Sequence, residues 1–249
     1  MERVKEYYRK VCGLLERIVD TQLPVIDQAA REIVRRIRED RLIYVIGTGA
    51  HSMMMAMEMF KRAGGLSRIS PLFPPGLGDF EGHPKTERLQ GYAALVLDYY
   101  RVKEGDLLII ANVNGINALT IDTALECRKR GITSVAVTSV AFSRGVAHDI
   151  PSRHPSNRNL CDLAEIVIDA GVPPGDALLQ FPEIADVPVG PGSTYPMVFI
   201  VNALVVRVVE LLLEAGLDPE VRKSGNLPGG LERSRELFDS RYYPRIKHY

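Results

Sequence analysis

The 249-residue chain has no tryptophan, only three cysteines and only 7% aromatic residues. The cysteines, Cys12, Cys127 and Cys161, form no CxxC pair and have no histidine nearby at metal-ligand spacing. The sequence therefore predicts neither a disulfide framework nor a zinc site. An odd number of cysteines in a chain of this size fits a reducing compartment, so we expect a cytoplasmic protein.

The chain also lacks an excess of charge of either sign. It has 31 basic and 31 acidic residues, and its formal net charge is zero. A field that attracts nucleic acid is therefore not indicated, and we expect no nucleic-acid partner. The amino terminus is charged and helical in pattern, unlike a signal peptide. The longest apolar runs, such as 197–206, are shorter than a membrane span, so we expect no membrane partner.

Two nucleotide-binding motifs are missing or incomplete. No GxxxxGK[ST] loop occurs, which argues against a nucleotide triphosphatase. Gly47-x-Gly49 follows an apolar run, but Ser52 stands where the dinucleotide fingerprint requires a third glycine. A nicotinamide-dependent oxidoreductase is therefore only a weak alternative, and we expect no cofactor.

The chain has an apolar fraction of 46%, arranged as helices first and strand–helix units afterwards. Apolar spacing predicts two N-terminal helices, over residues 2–20 and 25–39, with a break at Pro24. Continuously apolar strands follow at 42–46, 107–111 and 132–138, as expected for parallel strands covered on both faces. The order predicts an α/β fold with a doubly wound parallel sheet. We expect N-terminal helices over 1–40, a central domain over 41–230, and a C-terminal helix and tail over 231–249.

Polar turns follow three of these strands, at 47–52, 112–117 and 138–139. Because the carboxyl ends of parallel strands meet at one edge of the sheet, we expect these turns to converge. Helix N-termini with unpaired N–H groups and neutral polar side chains suit a phosphate monoester or a similar small anion. The alternative is that the turns are ordinary helix caps. The candidate binding residues are Gly47, Thr48, Gly49, Ser52, Asn112, Asn114, Gly115, Asn117, Thr138, Ser139 and Ser193.

Residues 47–52, together with Thr138 and Ser139, resemble the SIS (sugar isomerase) domain. Further blocks that resemble this family, and within it the phosphosugar and phosphoheptose isomerase-like proteins, lie at 58–65, 86–93, 152–156, 175–177 and 192–194. The resemblance implies a flavodoxin-like sheet, a sugar-phosphate ligand, and a homodimer or higher homo-oligomer. The turn at 112–117 departs from the family, because asparagines replace the Ser-x-Ser-Gly-x-Thr of many SIS domains.

Isomerisation of an aldose phosphate needs a base and an acid, and three side chains are candidates. Glu87 is expected to open a helix over 87–99 just after a loop at 74–85, where it is either catalytic or a first-turn acid that complements the helix dipole. His51 is an acid, a base or a phosphate donor, or else a structural cap. His154, in the polar segment 141–159, either closes over a substrate, including one in a neighbouring subunit, or has no role.

Glu58 and the group at 79–83 can also be interpreted without a functional role. Glu58 either reaches the site or pairs with Arg62 one helical turn away, and the ion pair is favoured. Asp79, Glu81 and His83 match no strong ligand spacing, so we expect no metal. The sequence as a whole favours a sugar-phosphate isomerase, or a related lyase or etherase. The alternative is a non-catalytic module that senses phosphosugars.

Overall fold

A five-stranded parallel sheet forms the centre of the computed structural model, which describes residues 1–78, 81–237 and 241–248. Its strands are β1 (Ile43–Gly47), β2 (Ile69–Leu72), β3 (Leu107–Ala111), β4 (Thr133–Thr138) and β5 (Ile166–Asp169). Their order is β2-β1-β3-β4-β5, and every neighbouring pair is parallel. This is the flavodoxin-like order of a doubly wound sheet. The predicted fold class is therefore confirmed.

Helices cover both faces of the sheet. They are α1 (Glu2–Arg38), α2 (Met53–Met59), α3 (Tyr92–Tyr100), α4 (Ala118–Arg130), α5 (Val140–Gly145), α6 (Leu160–Leu163), α7 (Thr194–Glu214) and α8 (Gly230–Leu237). One apolar cluster joins α1, α2 and α7 to one face of the sheet. A second cluster joins α3, α4 and α6 to the other face and includes Tyr242 and Ile246 near the chain end.

The N-terminal region is one helix of 37 residues, not the two helices that the sequence predicts, and Pro24 lies inside it. A proline in a helix interior lacks an N–H donor and costs about 3 kcal/mol relative to alanine. Here Ile18 and Ile26, on either side of Pro24, are 1% and 2% exposed and belong to the core. Burial of the same apolar stripe before and after the proline keeps the helix continuous.

Helix α7 is longer than the apolar run 197–206 that lies within it. Its 21 residues, Thr194–Glu214, pass the test for a membrane span by length and composition, but half of the apolar window is buried inside the protein. Its buried side chains belong to the core cluster that it shares with α1 and the sheet. Core helices of soluble proteins pass the same test, so this single helix is weak evidence for a membrane span.

The predicted helix over 87–99 is divided into a 3-10 turn, Thr86–Arg88, and α3. A short strand, β6 (Ala177–Leu179), lies outside the main sheet and pairs antiparallel with β7 (Val189–Pro191). A second 3-10 turn, Pro182–Ile184, lies between them. The predicted C-terminal helix is α8, and Phe238, at its expected end, lies outside the described residues.

Candidate functional site

A cavity of about 380 Å³ lies outside the carboxyl ends of β1 and β3. These strands are neighbours in the sheet, but β1 leads into α2 on one face and β3 leads into α4 on the other. The reversal leaves a crevice between the two turns, which is where ligands bind in open α/β sheets. The cavity is lined by Gly49, Ala50, His51, Ser52, Leu77, Gly78, Gly82, His83, Pro84, Glu87, Asn112, Val113 and Asn114.

Two glycines allow the turn after β1 to close on itself and on its neighbours. A Cβ atom at Gly47 would lie 2.0 Å from the carbonyl oxygen of Ser52, so no side chain fits there. A Cβ atom at Gly49 would lie 3.0 Å from Asn112 Nδ2 and 3.1 Å from Glu87 Oε2. Glycine therefore permits an amide from the β3 turn and a carboxylate from the 3-10 turn to approach the same stretch of backbone.

The turn after β3 places two asparagines on the cavity wall. Asn112 Oδ1 accepts a 2.9 Å hydrogen bond from the backbone N–H of Gly115, which fixes the side chain. Asn114 Oδ1 is buried and, within the part of the chain that the structure describes, has no hydrogen-bond partner. A buried acceptor left without a partner costs about 1–3 kcal/mol. The cavity therefore contains an acceptor that a bound donor would satisfy.

Two candidate residues near this turn are buried and form hydrogen bonds within the protein. Thr48 and Asn117 are 0% and 2% exposed. Asn117 caps α4 by accepting from the Thr120 N–H at 2.9 Å, and its Nδ2 donates to the Thr48 carbonyl at 2.9 Å. The hydroxyls of Thr48 and Thr120 are 2.6 Å apart. These groups tie the first turn to α4, as the cap interpretation predicted, and neither residue lines the cavity.

Thr138, Ser139 and Gly115 are likewise structural. The hydroxyl of Thr138 donates to the Val113 carbonyl at 3.2 Å. Ser139 caps α5, accepting from the Phe142 N–H at 3.3 Å, while its hydroxyl donates to Val172 at 2.6 Å. Gly115 has φ +59, and a Cβ there would lie 2.8 Å from the Thr138 hydroxyl. The structure therefore brings the turns together at one edge of the sheet, but the turn after β4 is closed.

A second cavity, of about 340 Å³, adjoins the first and shares His51, Ser52 and Val113 as walls. His51 Nε2 lies 3.3 Å from the hydroxyl of Thr194, at the start of α7. The imidazole therefore stands between the two cavities. Apolar side chains, Met55, Val113, Pro191 and Met197, supply much of the second lining.

Asp176, which the sequence analysis did not select, holds Ser193 beside this second cavity. Its Oδ1 accepts from the Ser193 N–H at 2.7 Å, and its Oδ2 accepts from the Ser193 hydroxyl at 3.1 Å. Ser193 precedes α7 as predicted but makes no side-chain cap hydrogen bond to it. The sequence signal for a turn here was the position of Asp176 between the turn-forming Gly175 and a strand. Aspartate tolerates the left-handed conformation found here, φ +68.

The three catalytic candidates are placed differently. Glu87 and His51 both line the first cavity. Glu87 lies on the 3-10 turn and not at the start of a long helix, so the predicted helix-dipole alternative does not apply to it. His154 is outside both cavities, and its Nε2 lies 3.2 Å from Asp122 Oδ1 on α4.

Several neighbouring groups have purely structural partners. The predicted ion pair of Glu58 with Arg62 is present at 3.5 Å, and Asn202 also donates to Glu58. Arg153, which precedes His154, is 8% exposed and donates to Asn159 Oδ1 at 2.7 Å. Arg153 therefore anchors the polar segment after β4, most of whose other residues are exposed.

The first cavity presents mainly neutral donors and acceptors. None of its lining residues is a lysine or arginine; its titratable side chains are Glu87, His51 and His83. In the described ranges no three His, Cys, Asp or Glu side chains lie close enough to hold a metal ion. Asp79, which the sequence places near Glu81 and His83, lies outside those ranges. An anion here would be held by hydroxyl, amide, imidazole and backbone N–H groups.

Comparison with known proteins places this geometry in a family. A model of the SIS domain matches residues 6–139, just over half of the chain. A UPF0309 protein of Shouchella clausii (strain KSM-K16) is 35% identical over 252 residues, with 100% of this chain and 98% of that protein covered.

Two solved structures share the fold at low sequence identity. A phosphoheptose isomerase from Francisella tularensis superposes with a TM-score of 0.55 at 14% identity, covering 84% of this chain and 97% of that chain. The Vibrio vulnificus NanR protein complexed with ManNAc-6P superposes with a TM-score of 0.52 at 18% identity, covering 86% and 64%. At such identities the likeness shows the fold alone.

Proposed function

This chain belongs to the SIS-domain family, and we propose that it binds a sugar phosphate in the cavity between the β1 and β3 turns. The observation that carries the proposal is the buried Asn114 Oδ1, which has no partner among the described residues. Because a phosphate dianion has no proton to donate, this oxygen would accept a hydrogen bond from a hydroxyl group of the ligand. The ligand is therefore expected to carry hydroxyl groups as well as an anion.

The same cavity offers donors for the anionic part of the ligand. Ser52 supplies a hydroxyl, Asn112 supplies an Nδ2 that faces Gly49, and the turn after β1 supplies backbone N–H groups. Hydrogen bonds from neutral donors to a charged oxygen are stronger than those between neutral groups. The fold likeness to the NanR protein complexed with ManNAc-6P supports a phosphosugar as the ligand class.

Turnover of this ligand is proposed to use Glu87 and His51. Both line the cavity, so a carboxylate and an imidazole can reach one bound sugar. Glu87 would take the proton from the carbon next to the carbonyl and return it to the former carbonyl carbon, while His51 would move a proton from the neighbouring hydroxyl to the carbonyl oxygen. This division favours a sugar-phosphate isomerase, or a related lyase or etherase. His154 lies outside the cavity of its own chain, so its proposed role is confined to a neighbouring subunit.

The second candidate function is a non-catalytic phosphosugar-sensing module. It is favoured by the same NanR likeness, since that structure is a complex with a phosphosugar. Both functions require the same binding cavity and the same ligand class. They differ only in whether Glu87 and His51 move protons.

We further propose a cytoplasmic homodimer or higher homo-oligomer. Helix α1 leaves Val4, Tyr8, Val19 and Leu23 exposed, between 43% and 67% of each residue, which is a suitable surface for a second copy. The division into N-terminal helix, central domain and C-terminal tail stays part of this proposal. Light scattering of the purified chain measures its mass in solution, and a monomer at micromolar concentration would contradict the oligomer.

Thermal shift and turnover together test the proposed function. Sugar phosphates should raise the melting temperature of the wild type, because a ligand that binds only the folded state stabilises it. Turnover of aldose and ketose phosphates, and of muramic acid phosphate, should fall about 10²–10⁴-fold in Glu87→Gln. The matched control is Glu58→Gln, which removes a carboxylate paired with Arg62 outside the cavity.

The outcomes separate the two candidates. Binding with turnover that depends on Glu87 supports the enzyme, and equal turnover by wild type and Glu87→Gln removes Glu87 from the mechanism. Binding without turnover of any of these substrates supports the sensing module. Failure of every sugar phosphate to raise the melting temperature contradicts both.

A further inference from the structure

A larger cavity lies at the opposite edge of the sheet, where the strands begin. Its volume is about 770 Å³. It opens between the start of β1, the ends of α1 and α3, the start of β3 and the C-terminal segment 241–248. Its size is within the range of about 300–1,000 Å³ that small-molecule sites occupy. None of its lining residues lines the carboxyl-edge cavities described above.

The wall of this cavity contains a polar group without a partner among the described residues. Tyr44 on β1 is only 9% exposed and lines the cavity. No hydrogen bond to its hydroxyl is formed by any residue in the described ranges. Burial raises the pKa of Tyr44 to about 12, so the hydroxyl stays protonated at neutral pH and can donate as well as accept. A hydroxyl that lines a cavity and has no protein partner is a group to which a ligand can hydrogen-bond.

The charges around the cavity leave an uncompensated positive region at its mouth. Arg41 is paired with Asp106 at 2.8 Å, and Arg245 is paired with Asp40 at 3.3 Å. Arg101 and Lys103, both exposed, have no carboxylate within 4 Å among the described residues. Two unpaired cations at the mouth of a cavity attract an anion of comparable charge.

The backbone conformation of Arg101 is also unusual. Arg101 ends α3 in the left-handed conformation, with φ +56. That position usually holds glycine, because any side chain there is strained by about 1 kcal/mol. An arginine in this place adds a charged side chain to the lining of the cavity, which glycine would not supply.

We propose that this amino-edge cavity binds a nucleoside diphosphate. The two phosphates match the unpaired charges of Arg101 and Lys103. The exposed ring of Tyr243 in the wall offers aromatic surface for a base. The Tyr44 hydroxyl supplies a hydrogen bond to the polar edge of the nucleoside. The site is separate from the proposed sugar-phosphate cavity, and it does not depend on the function of that cavity.

Titration calorimetry of the full chain with ADP, and separately with inorganic pyrophosphate, tests the assignment. ADP should bind saturably with one site per chain, and pyrophosphate should bind more weakly because it lacks the nucleoside. The double variant Arg101→Gln/Lys103→Gln should weaken both ligands at least tenfold. Tyr44→Phe, which removes only one oxygen, should weaken ADP by about five- to tenfold, as for one lost hydrogen bond.

Asn114→Leu, in the carboxyl-edge cavity, is the control and should leave ADP binding unchanged. Melting curves of all variants confirm that each is folded before titration. Absence of saturable ADP binding up to millimolar concentration overturns the proposal. Loss of ADP binding in Asn114→Leu would place the nucleotide at the other edge, and equal affinity for ADP and pyrophosphate would reduce the site to one for an anion; either result overturns the assignment.

Discussion

The turns after β3 and β4 are built from similar polar residues, yet one lines a cavity and the other is closed. In the β4 turn the hydroxyls of Thr138 and Ser139 donate to the carbonyls of Val113 and Val172. In the β3 turn Asn112 Nδ2 lies close to Gly49 on the cavity wall, and Asn114 leaves a buried oxygen without a partner among the described residues. Polar residues at strand ends stabilise the fold where other residues of the chain form hydrogen bonds with them. Where no such partner exists, the polar group can bind a ligand.

The position of each strand in the sheet explains the difference. The helix connections reverse direction between β1 and β3, so the crevice opens there. β4 lies between β3 and β5, where the connections run the same way. The segment after β4 therefore packs directly over its neighbours, and its polar groups find partners within the chain.

The largest expected effect comes from the closed network around Asn117. Asn117→Ala removes the cap of α4 and leaves the buried Thr48 carbonyl without its donor. We expect the free energy of unfolding to fall by about 2–4 kcal/mol, as the sum of a lost cap and an unsatisfied buried group. Urea unfolding measures it. Asn117→Ser, which keeps a capping oxygen without adding a buried charge, should lose less; a loss below about 0.5 kcal/mol in Asn117→Ala would show that the network is not structural.

Asn114 should behave in the opposite way. Asn114→Leu removes the unpartnered oxygen, so the free energy of unfolding should stay the same or rise. Sugar-phosphate affinity should fall at least about tenfold, which corresponds to 1.4 kcal/mol. Calorimetric titration measures the affinity. Asn202→Leu, at an exposed position on α7 outside the cavities, is the control and should bind normally.

Thr138 tests whether the β4 turn is closed to ligand. Thr138→Val keeps the shape of the side chain but removes its hydrogen bond to the Val113 carbonyl. We expect a loss of about 1 kcal/mol in unfolding free energy, with sugar-phosphate affinity changed by less than about twofold. A large loss of affinity with unchanged stability would place Thr138 in the ligand site.

Ser193 should give the smallest effect. Its hydroxyl donates to Asp176, but its backbone N–H donates to the same carboxylate and remains in the variant. Ser193→Ala should therefore lower stability by about 0.5–1 kcal/mol, or a few degrees in the melting temperature, and leave sugar-phosphate affinity unchanged. If affinity instead falls while the melting temperature holds, Ser193 belongs to the binding group.

The sequence was sufficient for the strands and for the meeting of their turns. Continuous apolar runs identified β1, β3 and β4 within one residue, because strands covered on both faces leave a strong local signal. The role of each polar residue was not predictable in the same way. Whether Asn117 or Asn114 is satisfied depends on Thr48 and Gly115, which approach them only in the folded chain.

Contacts between residues distant in sequence also explain where the structure differs from the predictions. Pro24 predicts a break locally, but the core contacts of Ile18 and Ile26 keep α1 continuous. His154 lies outside the cavity of its own chain, with its Nε2 3.2 Å from Asp122 Oδ1 on α4, so its catalytic role stays a prediction for a neighbouring subunit. Asp176 was missed because its partner, Ser193, is distant in sequence.

A structure determined with a bound sugar phosphate tests the central claim most directly. The account predicts a ligand hydroxyl within hydrogen-bond distance of Asn114 Oδ1, roughly 2.6–3.2 Å, and phosphate oxygens on Ser52 and the turn after β1. The turn after β4 should keep its internal hydrogen bonds to Val113 and Val172. A ligand bound elsewhere, with Asn114 Oδ1 still unpartnered, would contradict the account.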